Sequence, residues 1–229
     1  AIKSDNVERA EAKRRGIPEL ERSEALGQLT EGYESVVGIA GCHGKTTITS
    51  MLALICEQGG PDATVHIGGF VDFLNGGVRL GAHDMFITEA CEYVESFLTL
   101  RPTIALINNI DNDHLDYYGD MEHIVAAFKK FAALLPENGL LIGNTDDFRV
   151  RALMAEHTGR KLSYGMKDAD YTPANINYDD NGCPGFDIMF RGEKLMHIQL
   201  RIPGEHSVMN AIAAAAVARE IGADDKCIV

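Results

Sequence analysis

The chain has 229 residues, 45% hydrophobic and 24% charged, the balance of an ordinary globular protein long enough to bury a sizeable core. Acidic residues outnumber basic ones 34 to 21, giving a net charge of -13. That excess argues against nucleic acid and against anionic membrane surfaces as partners, because no basic stripe stands ready to neutralise phosphates.

Residues 1–34 are polar and charge-rich. Helical patterns run from Asn6 to Arg15 and from Ser23 to Leu29, with Asp5 and Ser23 as the expected N-caps. They offer few large apolar side chains, so this stretch reads as a linker or as the tail of a preceding domain. From Val36 short apolar runs alternate with longer helical ones. "VVGIA" reads as a buried strand and "KTTITSMLALICEQ" as a helix that stops at Gly59-Gly60. Strands follow at "ATVHIGG" and "DMFITEA", then a short helix at "VESFLTL". "TIALINNI" is a strand, and "MEHIVAAFKKFAALLP" an amphipathic helix ending at Pro136. "GLLIGN", "DDFRVRALMAEH" and "KLSYG" continue as strand, helix and strand.

After Tyr171 apolar and polar residues alternate, with turn signals at Asp-Asn-Gly and Arg-Gly, the pattern of an antiparallel meander on one sheet edge. The last helix, "EHSVMNAIAAAAVAREIG", is Ala-rich and stops at Gly222. The expected fold class is therefore α/β: a P-loop-type, mostly parallel sheet flanked by helices, with a smaller antiparallel β-meander near the C-terminus.

Cys42, Cys56, Cys91, Cys183 and Cys227 form no Cys-x-x-Cys pair and are odd in number. Free thiols in a reducing compartment fit better than a disulfide framework or a zinc ribbon. The longest wholly apolar run, Ala211 to Ala218, is far short of a membrane span, and the N-terminal stretch lacks a signal peptide's apolar core. A cytoplasmic protein without membrane insertion is expected.

In open parallel α/β sheets, ligands bind beyond the carboxyl ends of the strands. The first strand delivers Gly41-Cys42-His43-Gly44-Lys45-Thr46, the next candidates are Glu89, then Asp111, Asp113, His114 and Asp116, then Asn144, Thr145, Asp146 and Asp147. Gly41 and Gly44 let backbone N–H groups turn around phosphate oxygens, and the following helix points its positive end at the anion. Lys45 supplies a point charge and the Thr46 hydroxyl suits a magnesium ligand. The general phosphate-loop pattern wants a glycine where Ile39 stands, so this loop departs from it. Glu89 admits two readings, a solvated strand terminus or a magnesium ligand facing Thr46. His114 is a metal ligand or a helix-capping surface histidine. His206 and Asn210, one turn apart, are helix-capping polar residues or contacts to a base or ribose. "DNDHLDYYGD" is not a calcium loop of the EF-hand kind, because its fifth and sixth places hold Leu115 and Asp116.

Taken together, "GCHGKTTITSM", "ITEACEYVESFL", "NNIDNDHLDYY" and "PGEHSVMNAIAAAAVA" resemble, in order and spacing, the ATP-dependent Mur ligases of bacterial cell-wall synthesis. The likeness runs from about Ser4 to Gly222 and is strongest to the alanine-adding branch, on His43 and on the "TEACEYVESFL" segment. The family's loop, G-x-x-G-K-T-[ST], accounts for Ile39. The resemblance implies ATP binding by Gly41, Cys42, His43, Gly44, Lys45, Thr46 and Thr47, with adenine at His206 and Asn210. It implies catalytic roles for Lys45, Glu89 and His114, and magnesium on Thr46, Glu89 and His114, joined by Lys129 if that lysine is carbamylated. Substrate is expected at His43, Glu92 and Ser96. Ser207 stands where the family carries an asparagine, and Cys42 where it commonly carries a threonine.

What the family does implies a bacterial cytoplasmic enzyme joining L-alanine to the lactyl carboxylate of UDP-N-acetylmuramate, the alternatives being a sibling that adds a peptide or another amino acid, or a nucleotide-binding module without turnover. The carboxylate attacks the γ-phosphorus of ATP to give an acyl phosphate, and the amine then displaces phosphate from the carbonyl. Residues 35–222 correspond to the central ATP-binding domain. Residues 1–34 are then the run-in from a UDP-binding domain, and 223–229 the start of a linker to the domain that delivers the amino acid.

Overall fold

The computed structural model describes residue 2 and residues 5–81 and 84–229. Ser4, where the family resemblance begins, lies outside them. Helices α1 (Val7–Arg14) and α2 (Arg22–Thr30) precede a sheet-forming region. Strands β1 (Ser35–Ala40), β2 (Thr64–Val71), β3 (Gly76–Arg79), β4 (Met85–Ala90), β5 (Ile104–Ile107), β6 (Leu140–Asn144), β7 (Arg160–Tyr164), β8 (Tyr171–Tyr178), β9 (Pro184–Phe190) and β10 (Glu193–Gln199) form one ten-stranded sheet. Its order is β10-β9-β8-β7-β6-β5-β1-β4-β2-β3. The connecting and flanking helices are α3 (Lys45–Glu57), α4 (Leu115–Tyr118), α5 (Met121–Ala132), α6 (Phe148–Glu156), α7 (His206–Glu220) and α8 (Asp225–Ile228).

From β2 through β4, β1, β5, β6 and β7 to β8 every pairing is parallel; β3, β9 and β10 pair antiparallel. The meander thus continues the main sheet rather than forming a separate one. β1 lies between β4 and β5, so the chain's direction of progress across the sheet reverses there. Such a switch point opens a crevice at the strand ends.

Alternation along each strand feeds two cores. Val37, Ile39, Val65, Ile87, Leu106 and Ile142 face α3 and α7. Ala40, Ala105, Ile107 and Leu141 face α5 and α6. α5 buries Ile124, Ala127, Phe128 and Phe131, one helical stripe. Each buried phenylalanine there contributes about 1.5–3 kcal/mol. α7 is buried nearly all round, which its run of alanines allows by letting the sheet and α3 come close. Among the described residues no helix is long and apolar enough to cross a membrane.

The ends of the chain differ from expectation. Asn6, not Asp5, caps α1, its side chain accepting from the N–H groups of Glu8 and Arg9. α2 begins at Arg22 rather than at Ser23, because Glu21 and Glu24 form a reciprocal capping box. α1 buries nothing, whereas α2 docks: Thr99 Oγ1 donates to the Ser23 carbonyl at 2.8 Å. β3, α4 and α8 lack a sequence signal. α8 follows Gly222 and lays Cys227 and Ile228 against the α3–α7 core.

Candidate functional site

β1 is buried to Ala40, and the chain then turns through Gly41–Gly44 into α3. Gly44 sits at φ 87, where a side chain is strained, and a Cβ there would lie 2.5 Å from Asn108 Nδ2 and 2.7 Å from Asn210 Oδ1. The segment after β5 clamps this loop. His43 N–H donates to Asn109 Oδ1 at 2.8 Å, and the His43 carbonyl accepts from Asn108 Nδ2 at 2.9 Å and Asn109 Nδ2 at 3.0 Å. Cys42 Sγ accepts from the Asp111 N–H at 3.2 Å and donates to the Asp111 carbonyl at 3.4 Å. Burial pushes this thiol up to about 11, so it stays protonated and able to donate. The loop and the segment that carries Asp113 and His114 are therefore tied together. Asn108 and Asn109 escaped the sequence reading; the Asn-Asn pair at a strand end was the available signal.

Lys45 opens α3 and turns its ammonium back over the loop. Nζ lies 2.5 Å from the Gly41 carbonyl, 3.3 Å from that of Cys42, and 2.8 Å and 3.2 Å from the two Glu92 oxygens. Glu92 is 2% exposed. His114 Nε2 approaches it to 3.7 Å, and His114 Nδ1 lies 3.7 Å from Asp113 Oδ1. Ligand atoms of Glu92, Asp113 and His114 all lie within 4.8 Å of one another. Two carboxylates and an imidazole so gathered suit a divalent cation.

The backbone around this cluster is unusual. Val94 (φ 54), Glu95 (φ 53) and His114 (φ 58) all occupy the left-handed region, and a β-branched residue there is a rare outlier. The turns from Tyr93 to Thr99 are held by Phe97, which stacks on Phe131 at 4.8 Å and meets Phe128 edge-on. Tyr118 donates its hydroxyl to the Glu92 carbonyl, and the Tyr93 ring lies 4.6 Å from that of His114.

A second pairing sits on the β2–β4 side. Thr46 Oγ1 donates to Glu89 Oε2 at 3.1 Å, and the Gly68 N–H donates to Glu89 Oε1 at 2.7 Å. Thr47 follows in the first turn of α3, half-buried. Glu89 and Glu92 therefore serve different neighbours: Glu89 meets the threonine, Glu92 the lysine and His114.

The model for the Mur ligase middle domain matches residues 39–218. This chain belongs to the Mur ligase family. The UDP-N-acetylmuramate--L-alanine ligase of Alkaliphilus metalliredigens is 44% identical over 229 residues, covering 100% of this chain and 50% of that protein. Among solved structures, UDP-N-acetylmuramate:L-alanyl-gamma-D-glutamyl-meso-diaminopimelate ligase from Neisseria meningitides superposes with a TM-score of 0.84 at 25% identity, covering 99% of this chain and 74% of that one. The UDP-N-acetylmuramate-alanine ligase from Thermotoga maritima gives a TM-score of 0.83 at 24% identity over 100% of this chain and 51% of that one. The chain spans about half the length of the curated alanine ligases it matches.

Against the Mur ligase expectations, several residues fall elsewhere. Lys129 is not at the strand ends. It stands in the last turn of α5 and pairs with Glu156, the last residue of α6, at 2.7 Å. The pair joins the C-terminal ends of the two helices. Asn210 is buried beneath Gly44 rather than displayed at the surface, its Oδ1 accepting from Asn108 Nδ2 at 3.4 Å. His206 is exposed at the start of α7. Ser207 is buried and donates Oγ to the Pro203 carbonyl at 2.9 Å, which closes the turn into α7. Ser96 Oγ is bonded back to the Tyr93 carbonyl at 2.8 Å. His43 keeps its imidazole largely in solvent, 3.8 Å from Asp111. Asp147 caps α6 and accepts from the Ile110 N–H at 3.0 Å, while Asp146 accepts from the Met166 N–H at 2.8 Å. These two acids have structural duties.

Proposed function

We propose that this chain is the nucleotide-binding middle portion of a bacterial cytoplasmic ligase that joins L-alanine to the lactyl carboxylate of UDP-N-acetylmuramate at the expense of ATP. The observation that carries the reading is the contact between two halves of the site. The phosphate-loop lysine lies 2.8 Å from a carboxylate that is gathered with Asp113 and His114. The 44% identity to alanine ligases over the whole chain supports the choice of branch.

In this reading the N–H groups at the start of α3 and the Lys45 ammonium bind the β- and γ-phosphates. The donor set fits magnesium: Thr46 with Glu89 offers one oxygen pair, and Glu92, Asp113 and His114 offer a second group. Bound there, magnesium supplies positive charge to the transferring phosphoryl group. Glu92 is then shared between Lys45 and the cation, which fixes the lysine's position relative to the metal. His206, exposed above Asn210, is the candidate to meet the adenine. Residues 1–34 and 223–229 connect, in this proposal, to the UDP-binding and amino-acid-delivering domains.

Titration of this chain with a non-hydrolysable ATP analogue and magnesium tests the nucleotide role, and binding is expected. Amide formation by these 229 residues alone is not expected. In the longer protein, phosphate release is expected only with both UDP-N-acetylmuramate and L-alanine. Release driven by a peptide in place of L-alanine overturns the assigned branch in favour of a tripeptide ligase of the kind from Neisseria meningitides.

A further inference from the structure

We infer that Tyr164 is a positioning residue for the phosphate loop, acting through the amide of Asn108. Tyr164 ends β7, with β6 and β5 between it and β1, and among the described residues its hydroxyl makes no hydrogen bond to the loop. It is fully buried, and its hydroxyl donates to Asn108 Oδ1 at 2.6 Å. The phenol has one proton to give, and burial keeps it neutral by raising it well above the ordinary phenol range. That bond fixes which way the Asn108 amide faces. Its nitrogen then turns to the other side, to the His43 carbonyl at 2.9 Å and Asn210 Oδ1 at 3.4 Å. Gly44 packs directly against these two amides. A reversed Asn108 amide would set its oxygen against two acceptors, the His43 carbonyl and Asn210 Oδ1. The chain β7 to β5 to loop to α7 thus sets the height of the backbone N–H groups that face a phosphate.

The inference rests on the nucleotide reading above. Removing only the hydroxyl, in Tyr164→Phe, keeps the ring's volume but leaves Asn108 Oδ1 buried without its donor. The amide then loses the anchor on its oxygen, and the loop it holds loosens. We expect MgADP affinity, measured by calorimetric titration well below the melting temperature, to fall about tenfold. Asn108→Ala should weaken binding at least as much. On the Asn108→Ala background, Tyr164→Phe should have no further effect, because its only route to the loop is gone. A residue that merely fills the core would lower stability on either background without this coupling.

Tyr164→Phe binding MgADP within about twofold of wild type, or losses that multiply in the double variant, overturn the role of Tyr164. A wild-type chain that binds no MgADP overturns the nucleotide reading itself and this inference with it, an outcome distinct from the others. If Tyr164→Phe does not fold, the wild-type chain still decides: the Asn108 side-chain amide resonance must shift on adding MgADP, and an unmoved resonance sinks the proposal.

Discussion

Two buried carboxylates of this chain each sit beside a lysine, one in the meander and one at the strand ends. Asp187 on β9 is 6% exposed and accepts from Lys194 Nζ at 2.8 Å, His197 Nδ1 at 2.8 Å and Asn175 Nδ2 at 2.9 Å. All three partners come from the adjacent strands β8 and β10, and together they hold its carboxyl well below the usual range. Glu92 has one cation, Lys45, which it shares with two loop carbonyls. Its other near neighbours are an imidazole that does not bond it and a second carboxylate, Asp113. Like charges brought together in this way repel unless a cation joins them. A buried charge satisfied by its own sheet is architecture. One gathered with a like charge at the strand ends, beside the strained backbone of Val94, Glu95 and His114, is prepared for something that arrives.

The largest effect should separate the two lysines. In the longer protein, Lys45→Ala should lower the rate of phosphate release by on the order of a hundredfold or more, because on the proposed reading its charge acts on the phosphates mainly at the transition state. Lys194→Ala should leave that rate within about twofold of wild type. A Lys45→Ala enzyme running near the wild-type rate would remove Lys45 from the chemistry and erase the contrast. Next in size is Gly44→Ala. The left-handed backbone and the approach of Asn108 and Asn210 should cost about 1–3 kcal/mol, read as weaker binding of MgADP and a lower melting temperature. An unchanged affinity would show that the loop has room to spare.

The carboxylates themselves give the third test. Glu92→Gln should weaken Mn2+ binding about tenfold, whereas Asp187→Asn should leave it alone. Asp187→Asn should instead lower the melting temperature at neutral pH. The sign follows from the depressed folded value of Asp187: its contribution is present above the unfolded value of about 3.9 and is lost as pH falls below it. The melting gap between variant and wild type should therefore close as pH drops below about 4. A gap that widens in acid would contradict the assigned hydrogen bonds.

The sequence made one side of this comparison far easier to read than the other. Periodicity located α3 and α5, which each bury a regular stripe, and continuous apolar runs located β1, β5 and α7, which are buried on nearly every side. The loop declared itself through Gly44-Lys45-Thr46, residue types that phosphate-binding chemistry favours. Glu92 was legible only through the family resemblance, as an expected substrate contact, since its place beside Lys45 and His114 goes with a left-handed turn at Val94 and Glu95 that no local propensity favours. Asn108 and Tyr164 meet across 56 residues, and a contact of that span leaves no periodic trace. β3 is a four-residue, glycine-led edge strand, and α4 and α8 are single turns. Elements that short are stabilised by what they pack against, not by their own pattern. Lys129 meets the same limit: a count along the chain gives its distance in residues from His114, while α5 sets its ammonium beside Glu156 at the end of α6.

Cys42 should give the smallest effect and the finest test of how the loop is tied to the Asp113–His114 segment. Its thiol both accepts from and donates to the Asp111 backbone, and with burial holding it protonated to about pH 11 both bonds persist through the neutral range. Cys42→Ala leaves the Asp111 N–H without that acceptor and should cost about 1 kcal/mol in denaturant unfolding. Cys42→Ser keeps a donor and an acceptor on a shorter reach and should cost less than the alanine variant. The same order should hold for Mn2+ affinity, because the segment that loosens is the one carrying Asp113 and His114. A serine variant worse than alanine would mean that the sulfur's size, not its two hydrogen bonds, is what joins the two halves of the site.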